Sequence, residues 1–220
     1  MISPKYALTH YWRSAKAAGP TTAPHVVNLY LDYNCPFSGK LFSKLLSVIP
    51  ALDDKHPGQF QFVFVNVIQP WHPNSVGLHE YSFAIGQLLR DKIPDKSNDF
   101  FWKVSKTLFD NKEEFFDSAT VSLGRNDLYK KINDVVFSKL DLPIAQNDVL
   151  DRLEIKPSSS AKEANNDGNA ATADVKYFTK YLRGVGVHVT PTVSVDGIVD
   201  GSVSSGSSPE ELTKVFESHL

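Results

Sequence analysis

Residues 59 to 68 read Gln-Phe-Gln-Phe-Val-Phe-Val-Asn-Val-Ile. In an extended chain Phe60, Phe62 and Phe64 fall on one face and Val63, Val65 and Val67 on the other. A strand apolar on both faces must be covered on both, which places it in the middle of a parallel sheet with helices above and below. Parallel neighbours need a crossover, and the preceding residues supply one. His25-Val26-Val27-Asn28-Leu29-Tyr30-Leu31-Asp32-Tyr33, flanked by the Pro- and Thr-rich stretch from Pro20 to Pro24, reads as a buried strand. After Asn34-Cys35, Pro36 suits a first helical position, and Leu41, Phe42, Leu45, Leu46 and Ile49 follow at helical spacing. Pro50 and then His56-Pro57-Gly58 close that helix. Residues 1–74 thus read β-α-β.

From residue 75 to 185 the pattern is helical, with candidates at 76–89, 99–109, 126–140, 144–153 and 175–184. Leu128, Ile132, Val135 and Val136 form the stripe of an amphipathic helix. Between the last two candidates, 156–172 is polar and rich in small residues, and is expected to be a long mobile loop. In the remainder, 186–220, strands are expected at 187–195 and 198–203. Asp196-Gly197 joins them as a hairpin turn of the kind that needs positive φ. Ser208-Pro209-Glu210-Glu211 opens a last helix with its cap, its first-turn proline and a capping-box glutamate. The expected fold class is α/β: a βαβ half, a helical insertion and a ββα half.

Composition bounds the function. A chain of 220 residues buries roughly 70% of its unfolded surface and needs no staples. Its 23 Lys and Arg against 25 Asp and Glu give a net charge of −2, which argues against nucleic acid or an anionic membrane as partner. With one cysteine no intramolecular disulfide can form. No signal-peptide pattern or long apolar run is present, so the expected location is cytoplasmic. Arg13, Ser14 and Lys16 are a faint organellar-targeting cue.

Cys35 sits where a strand gives way to a helix. A thiol there faces unpaired N–H groups and the positive end of the helix dipole, which favour the thiolate. Such sites bring cysteine pKa values to roughly 3.5–7.5 from near 8.5, and the thiolate is the nucleophile. The competing reading is a buried cysteine packed as a small, inert hydrophobe.

The run Leu31-Asp32-Tyr33-Asn34-Cys35-Pro36-Phe37-Ser38 resembles the active-site signature of the DsbA-like branch of the thioredoxin superfamily, an Asp-Tyr-x-Cys-Pro-x-Cys pattern. Thr190-Pro191-Thr192, ahead of a strand and an Asp-Gly hairpin, resembles that family's cis-proline segment. The helical insertion is also that branch's layout, so the resemblance spans nearly the whole chain. It implies a thioredoxin fold with Cys35 as nucleophile, Pro36 and Phe37 beside it, and Thr190 and Pro191 presenting backbone to an extended thiol substrate. Ser38 departs from the pattern. It stands where the family has its second cysteine, and a hydroxyl does not exchange with a disulfide.

What the resemblance leaves is monothiol chemistry. Cys35 would form a mixed disulfide with a small thiol or thiol-containing peptide, glutathione being the candidate co-substrate, with no bound cofactor and no metal. Ser38 would instead stabilise a thiolate by donating to it. That second idea resembles the kappa class of glutathione transferases, with Ser-Pro-Tyr-Ser where this chain has Cys35-Pro36-Phe37-Ser38. A redox-inactive thioredoxin fold binding a peptide or apolar ligand in a groove lined by Phe37, Trp71 and the helical block stays open beside both. His188 is a candidate base for Cys35 if its strand face allows. Asp32 is either a tuner of the thiol or a turn cap. Ser204 to Ser208 is either an anion site or a plain helix cap, and Lys40 a cation near a ligand or a solvated lysine. His72 and His79 are seven apart with no evident carboxylate partner, and no metal motif is present.

Overall fold

The computed structural model describes residues 1–12 and 23–220. Arg13, Ser14, Lys16 and Pro20, which carry the targeting cue and part of the strand flank, lie outside the described residues.

β1 (His25–Leu31) is central in a sheet of order β2-β1-β3-β4 among the described residues. Its side chains are buried on both faces from Val27 onward. β2 (Phe60–Asn66) runs parallel to β1, as its two apolar faces require, yet it lies at the edge rather than in the middle. The N-terminal segment covers that edge. The Trp12 N–H donates to the Phe62 carbonyl at 2.9 Å, and Tyr11 bridges Val63. An edge blunted by another stretch of chain can be as apolar as a central strand.

α2 (Pro36–Lys55) continues through Pro50 instead of ending there. Proline inside a helix costs about 3 kcal/mol, but Ile49 and Leu52 on either side of it are buried in the core and hold the last turns in place. The helix ends where the His56 N–H reaches the Leu52 carbonyl, followed by Gly58 at φ 72°.

The helical block comprises α3 (Ser75–Lys92), α4 (Ser97–Asp110), short α5 (Asp117–Thr120), α6 (Arg125–Lys139), α7 (Gln146–Leu153) and α8 (Thr172–Val185). α3 packs on α4, α6, α7 and α8, so it is buried almost all round. α4 packs on α2, the centroid of its Phe109 ring 4.9 Å from that of Phe42 and 5.1 Å from that of Tyr33. Residues 156–168 are irregular and exposed. The chain is tied back by Asn169, whose side-chain amide donates to the Tyr129 hydroxyl and the Leu153 carbonyl. Gly186, at φ 72°, is the left-handed cap of α8, which accounts for the glycine at this position.

The last strands are shorter than 187–195 and 198–203. β3 (Thr192–Val195) begins only after Pro191, which has no N–H to give a ladder. β4 (Ile198–Val199) stops at Asp200, whose carboxylate accepts the Ser202 N–H and turns the chain. Asp196 and Gly197 between them have φ of 52° and 88°, the expected turn. α9 (Pro209–Glu217) starts with the full Ser208–Glu211 capping box and packs on α2. Ahead of β1, a short α1 (Ala7–His10) follows a 3₁₀ turn at Pro4–Tyr6. Four residues are too few to show a helical period, which is why nothing in the sequence pattern announces α1.

Candidate active site

At the end of β1 the chain turns through Asp32, Tyr33 and Asn34. The Cys35 N–H donates to the Asp32 carbonyl at 3.0 Å, and the Asn34 N–H to Asp32 Oδ1 at 3.0 Å. That turn makes Cys35 the N-cap of α2. Pro36 occupies the first helical position without wasting a donor, and the Phe37 and Ser38 amides have no intrahelical acceptor. The sulfur is therefore set at the positive end of a 20-residue helix.

Cys35 is only 4% exposed, and its Sγ–H donates to the Thr190 carbonyl at 3.5 Å. The Thr190–Pro191 peptide bond is cis. Gln69, buried just beyond β2, donates to the His188 carbonyl at 2.9 Å and to Thr190 Oγ1 at 3.2 Å, fixing the segment that meets the sulfur. Phe37 and Trp71 are 62% and 63% exposed. A groove of about 470 Å³ runs between the segment after β2 and the end of α8, lined by Ile68, Pro70, Trp71, Leu182, Val187 and His188 among others. Another hollow, of about 340 Å³, lies by the Asp196-Gly197 turn and Val26, at the far end of the sheet from Cys35.

The structure thus brings Cys35, Pro36, Phe37, Thr190 and Pro191 to one end of the sheet. Ser38 is there too, fully buried, but its Oγ accepts from the Asp32 N–H at 3.3 Å. Among the described residues no hydrogen bond joins it to the Cys35 sulfur. His188 is exposed, with Nδ1 3.2 Å from the Gly186 carbonyl rather than on Cys35. Lys40 is exposed. The Ser204–Ser208 stretch is filled from within: Lys44 donates to the Ser205 and Ser207 carbonyls, and Glu211 occupies the helix cap.

Sequence reasoning missed the surroundings of Asp32. Its carboxylate is fully buried and takes donors from several directions. His72 Nδ1 is 2.5 Å from Oδ2, and Ser75 donates to Oδ1 at 2.7 Å. His79 Nε2 stands 3.4 Å from Oδ1, close enough for charge and dipole attraction but outside ordinary hydrogen-bond geometry. Burial alone raises the Asp32 carboxyl, but His79, His72 and Ser75 outweigh it and hold it below its usual range. So the two histidines do have a common carboxylate, 40 residues before His72. The one cue was a carboxylate three residues ahead of the cysteine. Nothing local linked it to them.

The family model described as Thioredoxin matches residues 14–217. The chain belongs to the thioredoxin family. It is a single-cysteine member with the DsbA-like arrangement, a helical block set between the βαβ and ββα halves. Among solved structures it is similar to a candidate protein-disulfide isomerase from Pseudomonas syringae, at 22% identity and TM-score 0.65, covering 88% of this chain and 93% of that one. It is also similar to the reduced disulfide oxidoreductase DsbG from Mycobacterium tuberculosis, at 18% identity and TM-score 0.58, covering 98% and 88%. MdbA, a thiol-disulfide oxidoreductase from Corynebacterium diphtheriae, matches at 13% identity and TM-score 0.59, covering 95% and 89%. At these identities the likeness is one of fold. No curated protein sequence matches the chain.

Proposed function

We propose that this thioredoxin-family protein is a monothiol thiol-disulfide oxidoreductase that transfers thiols through Cys35, with glutathione or a related small thiol as co-substrate. The observation that carries the reading is the lone Cys35 at the N-cap of α2, its sulfur against the Thr190 carbonyl, with serine at the position one turn on. The Cys35 thiolate attacks a glutathione mixed disulfide, forms a Cys35–glutathione disulfide and releases the other thiol. A second glutathione thiolate then attacks that disulfide, leaving as oxidised glutathione and restoring Cys35. With no neighbouring cysteine to compete, release depends on the external thiol. Such a cycle suits a compartment rich in reduced glutathione, and we place the protein in the cytoplasm on that ground.

Mass spectrometry after incubation with oxidised glutathione tests this. One added glutathione on Cys35, removed by reduced glutathione, is the expected result. Conjugation of glutathione to an electrophile with no adduct on the protein would instead indicate kappa-class-like transferase chemistry. The burial of Cys35 favours a second reading, a redox-inactive fold that binds a peptide or apolar ligand in the groove beside Trp71. Absence of both adduct and conjugation would support that one.

A further inference from the structure

His72 is tied to the Cys35 turn from two sides. Through Nδ1 it holds Asp32, whose carbonyl accepts the Cys35 N–H. Its backbone N–H donates to the carbonyl of Gln69, whose side chain holds Thr190 against the sulfur. The side chain is 23% exposed, with the Trp71 ring edge-on at 6.2 Å. Nε2 has no protein partner among the described residues.

Asp32 is the end point of a buried chain of donors. The Thr9 hydroxyl is 2.8 Å from His10 Nδ1, and His10 Nε2 is 2.9 Å from Asn66 Oδ1. Asn66 Nδ2 in turn is 2.7 Å from His79 Nδ1. The Asn66 amide fixes both tautomers. Its oxygen requires His10 to donate from Nε2, and its NH₂ requires His79 to accept at Nδ1, which leaves the His79 Nε2–H aimed at Asp32. Burial keeps His10 uncharged, with its pKa down at about 3. His10 is therefore a neutral donor, and of the imidazoles around Asp32 His79 is fully buried while His72 meets solvent. Asp32 orients the His72 ring through Nδ1 and leaves Nε2 without a protein partner among the described residues, the geometry of a carboxylate–histidine pair.

We propose that His72, oriented by Asp32, is the proton-handling group of the Cys35 reaction. As the Cys35 thiolate forms its new S–S bond, the electron pair of the broken disulfide goes to the leaving sulfur, which takes a proton from His72 Nε2. In the second half, incoming glutathione gives its proton to Nε2 and attacks the mixed disulfide as thiolate. Cys35 is oxidised in the first half and reduced in the second, and His72 ends as it began. This inference rests on the monothiol reading above.

The test uses two disulfides with different leaving groups. Ellman's reagent releases an aromatic thiolate that needs no proton at neutral pH, whereas oxidised glutathione releases an alkyl thiolate that does. Single-turnover rates of Cys35 are measured with both, in the native protein and in H72Q. The expected result is a rate with Ellman's reagent that is unchanged within about twofold, and a rate with oxidised glutathione that falls roughly tenfold or more. Equal rates in the two proteins with both reagents would overturn the role of His72, and so would an equal loss with both, which would mark a purely structural residue. If the native protein reacts with Ellman's reagent but forms no glutathione adduct, the monothiol reading itself is what fails.

Discussion

The Cys35 sulfur and the Thr190 carbonyl meet at 3.5 Å across 155 residues of chain. One contact thereby joins the βαβ half to the ββα half, with the whole helical block between them in sequence. The S–H bond is a weak one, so the meeting is held by its surroundings: the Asp32 turn on one side and the Gln69 amide on the other. A weak contact on a rigid frame suits a sulfur that must leave its partner to react.

Cys35→Ser separates chemistry from stability. Serine retains a donor for the Thr190 carbonyl and is slightly smaller. The variant is expected to melt within a few degrees of the native protein, a change of about 1 kcal/mol or less, and to form no glutathione adduct. Thermal melts and mass spectrometry read the two effects separately. Full thiol-transfer activity in the variant would refute the role of Cys35.

Gln69→Ala removes both donors that hold the 188–190 segment. The buried side chain leaves a hole, and the His188 carbonyl loses its partner, so the expected cost is about 1–3 kcal/mol. Because Thr190 is then less well placed, KM for a glutathione mixed disulfide should rise several-fold. Alkylation of Cys35 by iodoacetamide, which needs no substrate clamp, should change little. Steady-state kinetics beside the alkylation rate distinguish a loosened clamp from a damaged thiol.

Asp32 sets an acid limb on stability. Its carboxyl is held below its ordinary range in the fold, so near that range the unfolded chain binds more protons than the native one, and stability rises with pH. The contribution is complete above about pH 4, the unfolded value, and is lost as pH falls through the lower folded value. Asp174 is shifted the same way: burial raises it, but Lys5, Gln87 and Tyr6 outweigh that. Melting temperatures measured from about pH 3 to about pH 6 should therefore climb, and D32N should show a shallower climb from a lower plateau. An unchanged slope in D32N would remove Asp32 from the account.

The strand–Cys–Pro–helix order, the Asp-Gly turn and the Ser208 capping box were legible because each is written in adjacent residues. The edge position of β2 was not, since what covers it is Tyr11 and Trp12, about fifty residues earlier in a segment too short for periodicity. The same holds at the site. Cys35 and Pro191 stood out as local motifs, whereas Asp32, His72 and His79 meet only in three dimensions. Pro50 misled for the opposite reason: a strong local signal was overridden by the burial of its neighbours.

Phe37 and Trp71 are exposed and carry little of the fold's stability. Replacing either with serine should leave the melting temperature nearly unchanged. If they line the approach to Cys35, thiol peptides with apolar residues beside the cysteine will lose affinity by about 1–2 kcal/mol, while glutathione itself is less affected. Relative kcat/KM for an apolar and a polar cysteine peptide gives the comparison. An equal loss for both would place the apolar contact elsewhere.

Ser38→Cys tests what the serine withholds. Position 38 lies one helical turn after Cys35, is fully buried, and has its side chain directed to the Asp32 N–H. A thiol there is the right distance along the helix to attack a Cys35 mixed disulfide, and fitting the larger sulfur into this fully buried position is expected to cost about 1–3 kcal/mol. The expected result is that oxidised glutathione no longer leaves a stable adduct: the glutathione is expelled and the protein loses two hydrogens as a disulfide closes between positions 35 and 38. Ser38→Ala is the control. It leaves the Asp32 N–H without its acceptor, costs about 1–3 kcal/mol, and should still yield the stable adduct. If Ser38→Cys also retains the adduct, the site is built to hold a thiol rather than to pass it on through a second cysteine, and residue 38 is not what limits the native protein to one thiol.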